Sequence, residues 1–198
     1  MWVWAAGWAL AADRTWNGLE LGATDAAGID AWAAGRGLAC ETVPSPRRTT
    51  THIRCDAPSP AAIAAPAGPG SLQRLLLVRT DDGPLHHVST ERAVDTGAAA
   101  AAYDAAVARW TAVYGPPTRS APAPTRFDSP LVRSATEWVA DDLVVRVSLL
   151  RNGGVGPVRI TERWDIPGVE EQVPTRPGSV PVHGPGSPSA KNPHLEED

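Results

Sequence analysis

The spacing of apolar and polar residues along the chain switches between a helical period and an alternating one. Ile29, Trp32, Ala33 and Arg36 recur at helical intervals. Thr24 precedes them as an N-cap, Asp25 places a negative charge at the helix's positive end, and Gly37 supplies the stop. The apolar part of that stripe (Ile29, Trp32, Ala33) is expected to face a core. A proline-rich stretch follows, then a strand-like run from Thr50 to Cys55. Pro58, Pro60, Pro66 and Pro69 make Asp56 to Gly70 a loop. Leu72 to Arg79 reads as a mostly buried strand, Thr80-Asp81-Asp82-Gly83 as a turn, and Leu85 to Glu91 as the returning strand.

The second half opens with the clearest helix. Asp95 or Thr96 caps it, an alanine run propagates it, and Gly115-Pro116 ends it. Tyr103, Val107, Trp110 and Tyr114 line one face at steps of four, three and four. Such a stripe faces a core far more often than it stacks a cofactor. After a loop from Pro116 to Pro130, three strands form a meander. Ala135 to Val139 leads through Asp141-Asp142 into Leu143, Val145, Val147 and Leu149, and then Val158, Ile160 and Trp164 alternate. Asn152-Gly153 between the last two strands is a hairpin signal, because both residues tolerate positive φ. The glycines that follow do not open a helix, so a phosphate-binding loop is not indicated.

The resulting order is helix, strand, hairpin, repeated. It predicts an α+β fold in which two αβββ-like halves (19–92 and 93–164) join into one antiparallel sheet with two helices on one face. Residues 13–164 form a single domain in this reading. From Asp165 onward seven prolines accompany little apolar content, so residues 165–198 are expected to be a disordered tail or a linker.

Composition narrows the function classes. A net charge of −4, without any run of basic residues, excludes an electrostatic footprint for nucleic acid and gives no attraction to anionic membranes. All basic residues but Lys191 are arginines. Carboxylate recognition would favour arginine, and so would a GC-rich genome. The apolar run Trp2 to Ala12 is about 16 Å long as a helix, too short for a bilayer core of about 30 Å. Its length and the Ala9-Leu10-Ala11 pattern fit a signal peptide over residues 1–12, although no basic residue precedes it; a buried N-terminal element is the alternative. Cys40 and Cys55 are the only cysteines, too far apart for a CxxC motif. A disulfide between them, worth about 3 kcal/mol, points to a periplasmic or extracellular location; two separate buried thiols are the other reading.

Leu21-Gly22-Ala23-Thr24, opening a short helix that strands follow, resembles the small periplasmic modules of the BamE/SmpA type. It is also similar to the helix-plus-sheet repeats of β-lactamase-inhibitor proteins. The Gly-Pro helix ending of those modules occurs here only at Gly115-Pro116. The resemblance implies protein–protein scaffolding or inhibition rather than catalysis, and it brings no site residues with it.

Candidate chemistry is sparse. His86 and His87 are neighbours on one strand and point to opposite faces, so a metal would need His52 and a carboxylate such as Asp81 or Glu91. No GxSxG elbow is present, and Ser89 shares a face with His87 on an ordinary strand. The pairs Asp81-Asp82 and Asp141-Asp142 fall in turns. Glu137 and Glu162 would face each other across the meander as a glycosidase-like pair or, more ordinarily, lie on a solvent face. No cofactor is expected and no catalytic residue stands out. The leading expectation is a non-enzymatic exported module whose sheet face or Pro-rich loops bind an envelope or extracellular protein. A small metal-dependent or hydrolytic enzyme using His52, His86 or His87 is the competitor. A ligand carrier with a pocket lined by Trp32, Trp110 and Trp138 is the third.

Overall fold

The computed structural model describes residues 14–45, 49–63, 70–127, 131–140, 142–152 and 156–169. The expected leader and the tail beyond residue 169 lie outside them. The elements are β1 (Thr15–Trp16), β2 (Leu19–Glu20), α1 (Ala26–Gly35), β3 (Cys40–Pro44), β4 (Thr50–Asp56), β5 (Ser71–Thr80), β6 (Leu85–Val94), α2 (Thr96–Tyr114), β7 (Leu131–Ala140), β8 (Leu143–Asn152) and β9 (Val158–Asp165). The α+β class holds. Seven strands form one antiparallel sheet in the order β3-β4-β5-β6-β9-β8-β7. Two meanders therefore meet along their last strands, β6 against β9.

The halves are unequal, which corrects the αβββ symmetry. The first half contributes four strands to the sheet, because Cys40–Pro44 pairs with β4 where a proline-rich connection was expected. It is also preceded by a small hairpin, β1-β2, turned by Asn17 and Gly18 with φ of 50° and 87°. Two successive positive φ values are what a two-residue hairpin turn requires, and Asn-Gly supplies them. The symmetrical layer of two helices is replaced as well. The long α2 rests directly on β6 to β9, whereas α1 packs chiefly on the hairpin. The reason is reach: α1 has ten residues and a narrow apolar stripe (Ile29, Trp32, Ala33), and Trp16 of the hairpin stands between Trp32 and Trp164 of the sheet.

Local signals explain most boundaries. Asp25, not Thr24, caps α1, accepting from the Gly28 amide at 2.8 Å. Thr24 instead accepts from the Glu20 amide and ties the hairpin to the helix start. Asp95 caps α2 by backbone alone, and Gly115 ends it. Asp165 belongs to β9 rather than to the tail.

Residues opposite each other in an antiparallel ladder share a face. On the covered face, Ile53, Leu75, Leu77, Val88, Val147, Leu149 and Ile160 are buried in one cluster with α2 and the hairpin. On the other face, arginines alternate with carboxylates: Arg54 with Glu41 and Asp56, Arg159 with Glu91, Arg146 with Glu137. At one end of the sheet, residues 118–121 pair with the outer side of β7. At the other, β3 is the edge.

Candidate functional site

A cleft of about 300 Å³ opens on the covered face, between the β1-β2 hairpin, the C-terminal half of α2 and strands β6 and β9. Each wall follows from a local period. Alternation along β9 sends Glu162 and Trp164 inward two residues apart. Helical spacing places Trp110 and Tyr114 one turn apart on α2, stacked with centroids at 5.8 Å. The Asn17-Gly18 turn brings Trp16 back over the sheet. Trp164 then meets Trp16 at 5.8 Å and Trp110 at 5.1 Å, the latter edge to face at 81°.

Glu162 is the charged centre of this cleft, its side chain 11% exposed. Arg109 donates to its Oε2, and the Trp110 indole Nε1 donates to the same oxygen at 2.6 Å. Its Oε1 takes no hydrogen bond from the described residues. The Arg109 guanidinium also lies 5.2 Å from the Trp110 ring centroid. A buried carboxylate persists only when paired in this way. The pairing also ties it down, so that Glu162 is a fixed acceptor. Thr90 and Arg92 add polar groups from β6. Flat apolar walls with a few convergent polar groups are the makings of a binding site.

The open face holds a second constellation. His87 Nδ1 lies 2.6 Å from Asp165 Oδ1, and His87 Nε2 lies 3.1 Å from Ser89 Oγ. His87 and Ser89 sit two apart on β6, and the ladder sets His87 opposite Asp165 and Ser89 opposite Arg163. Arg163 donates from Nη2 to Asp165 Oδ1 at 2.9 Å. Burial alone would raise the Asp165 pKa, but hydrogen bonds from His87 and Arg163 outweigh it and hold the carboxyl below its usual range. An ionised Asp165 can only accept, so in the neutral form of His87 the proton sits on Nδ1 and Nε2 is left to accept from Ser89.

The sequence-derived candidates are distributed as follows. Cys40 and Cys55 are disulfide-bonded and are direct ladder partners, with Cα atoms 4.1 Å apart. His52 and His87 share the open face with Val78 between them, while His86 is buried at 3% exposure. Both His87 nitrogens are already engaged, and among the described residues no three His, Cys, Asp or Glu side chains are grouped to hold a metal ion. Asp81 accepts from Thr51, and Glu91 is paired with Arg159. Glu137 and Glu162 do not face each other: the ladder puts Glu137 beside Arg146 on the open face and Glu162 beside Val147 on the covered one. Of the three expected pocket tryptophans only Trp110 lines the cleft. Trp32 stands behind Trp16, and Trp138 donates to the Gly115 carbonyl. The other two tryptophan walls, Trp16 and Trp164, come from the hairpin, whose one sequence signal is Asn17-Gly18, and from β9, whose alternation marks it as a core strand.

Compared with protein-family models, with curated proteins and with solved structures, the chain has no match.

Proposed function

We propose that the chain is an exported binding protein that holds a small ring-containing ligand in the tryptophan cleft. The observation that carries this reading is the convergence of Trp16, Trp110 and Trp164 around Glu162, which Arg109 and Trp110 clasp. Indole faces supply sequestered apolar area, and Glu162 and the arginines fix the orientation of polar substituents. A volume of about 300 Å³ suits one or two rings. The disulfide supports export, since such a bond persists in an oxidising compartment. The apolar run at residues 2–12 fits the same route. Intact mass of the secreted chain tests that route: the first dozen or so residues should be missing and no thiol should react.

Binding is tested by tryptophan-fluorescence titration with a panel of neutral saccharides, aromatic carboxylic acids and quaternary ammonium ions. At least one class should saturate the native chain. Trp110→Ala removes a wall and a donor to Glu162, so the affinity should fall about tenfold or more. A flat response across the panel, or equal binding by both chains, sinks the reading.

A second reading, in which the partner is another envelope or extracellular protein, rests on the open sheet face. No described helix covers it, and Val43, Val139 and Leu150 are exposed on it. The BamE/SmpA-type resemblance favours such scaffolding. A photo-crosslinker at Ser148 on this face should then capture one defined envelope protein that a crosslinker at Val113 on α2 does not.

A further inference from the structure

The relay on the open face is not needed by either reading, and its connectivity is specific. Asp165, His87 and Ser89 are joined in the order carboxylate, Nδ1, Nε2, hydroxyl, which is the order in which a carboxylate-oriented imidazole activates a serine. We propose that Ser89 is an activated nucleophile that takes the acyl group of small carboxylic esters with good leaving groups. His87 is its general base and Asp165 the carboxylate that fixes the base's tautomer.

Three features support this. The relay is mounted on strands rather than loops, with β6 the central strand of seven, so its geometry is rigid. His87 is 7% exposed, whereas Ser89 is only partly buried, so the base is shielded while the hydroxyl is reachable. Asp165, the carboxylate end of the relay, also lines a cleft of about 340 Å³ with Glu137, Arg146 and Arg163, next to Ser89's ladder partner Arg163.

The same geometry sets the substrate class. Backbone amides around Ser89 are spent in the ladders to β5 and β9, so no pair of free amides awaits an oxyanion. The nearest guanidinium, Arg163 across from Ser89, is already spent on Asp165 through Nε and Nη2. Each missing oxyanion donor costs a factor of about 10²–10³ in rate, a loss that alkyl esters and amides cannot spare and that aryl esters, with their good leaving groups, can. In the step itself, Ser89 Oγ bonds to the acyl carbon while its proton passes to His87 Nε2. The carbon–oxygen bond to the leaving group then breaks, and the leaving oxygen takes the proton from His87. Water repeats the sequence to release the carboxylic acid and restore Ser89.

The full chain is mixed with p-nitrophenyl acetate, and both p-nitrophenol release and the mass of its peptides are followed. The expected result is a burst of one equivalent per chain, with a single acetyl group on the peptide carrying Ser89. His87→Gln should slow the burst about a hundredfold or more. A second readout uses Ser89→Cys and iodoacetamide: alkylation should be fast near neutral pH and should slow when His87→Gln is added. No acetyl on Ser89 in the native chain, a burst that survives Ser89→Ala, or Ser89→Cys alkylation indifferent to His87 each overturns the proposal.

Discussion

Reducing the Cys40–Cys55 bond should destabilise the protein by about 3 kcal/mol, and the structure says why that number is a test. β3 is an edge strand of five residues, partnered only by β4, with everything after Cys40 exposed. It brings little apolar burial to the fold. The disulfide spans a sequence separation of 15 and joins two residues that are already ladder partners. Loop-closure entropy for a span of that size is about 3 kcal/mol, provided the segment is ordered in the native state and free in the unfolded one.

The assay is urea unfolding of the oxidised and reduced native sequence at one pH. Reduction keeps both sulfur atoms, so Cys55, 1% exposed beneath the sheet, opens no cavity. The slope should rise slightly on reduction, as a more open unfolded state exposes more surface. In thermal unfolding the same loss is about 6–12 °C for a chain of this size. A difference below about 1 kcal/mol would refute the reasoning. It would mean that β3 is detached once reduced, outside the cooperative unit, with the bond constraining native and unfolded chains alike. Amide exchange in β3 before and after reduction would show that directly.

Other expectations follow from single contacts. Arg109→Ala leaves Glu162 buried with only Trp110 as donor and should cost about 2–3 kcal/mol, reduced from a fully buried pair because the arginine is 31% exposed; Glu162→Leu in the same chain should recover most of it in a urea double-mutant cycle. The depressed pKa of Asp165 contributes stability that is complete above its unfolded value of about 3.9 and is lost as pH falls through the folded one. Thermal midpoints between pH 5 and pH 2 should therefore fall less steeply in Asp165→Asn, and parallel curves would count against the relay. Gly70 has φ of 89°, and a Cβ there would stand 2.1 Å from the Ala93 carbonyl oxygen, so Gly70→Ala should cost more than about 1 kcal/mol in the same unfolding assay.

How much of this was legible in the sequence depended on the range of the interaction. Helices α1 and α2 and strands β4 to β9 followed from period and punctuation, because Gly37, Gly115 and the alternation of Leu143 to Leu149 act within a few residues. The disulfide was legible by elimination, with only two cysteines to pair. β3 was not, because Pro44 and the exposed polar residues of Cys40–Pro44 carry the marks of a loop. An edge strand can bear those marks, since one side of it makes no ladder. The hairpin failed for another reason. Its strands have two residues each, too short for any period, and Asn17-Gly18 was the one available signal.

Both candidate sites lie beyond that range because they depend on the register between β6 and β9. A hairpin turn fixes the register of the strands it joins, so neighbours within each meander can be guessed from the sequence. No turn joins β6 to β9; α2 and two further strands intervene, and His87 and Asp165 are 78 residues apart. What fixes their alignment is packing on the covered face, where Val88 must sit beside Trp164 and Val94 beside Val158 to close the core. A slip of one residue would turn those side chains outward. The same alignment sets His87 against Asp165 on the other face and brings Thr90 beside Glu162 under α2. The relay and the cleft are thus two consequences of one core register, on opposite sides of one pair of strands. A substitution that broke the packing behind that register, such as Val88→Asp in the core, should disable ester acylation and ligand binding together. Ser89→Ala and Trp110→Ala should each disable one and spare the other. Loss of both functions in either single variant would break the inference that the two sites are separate.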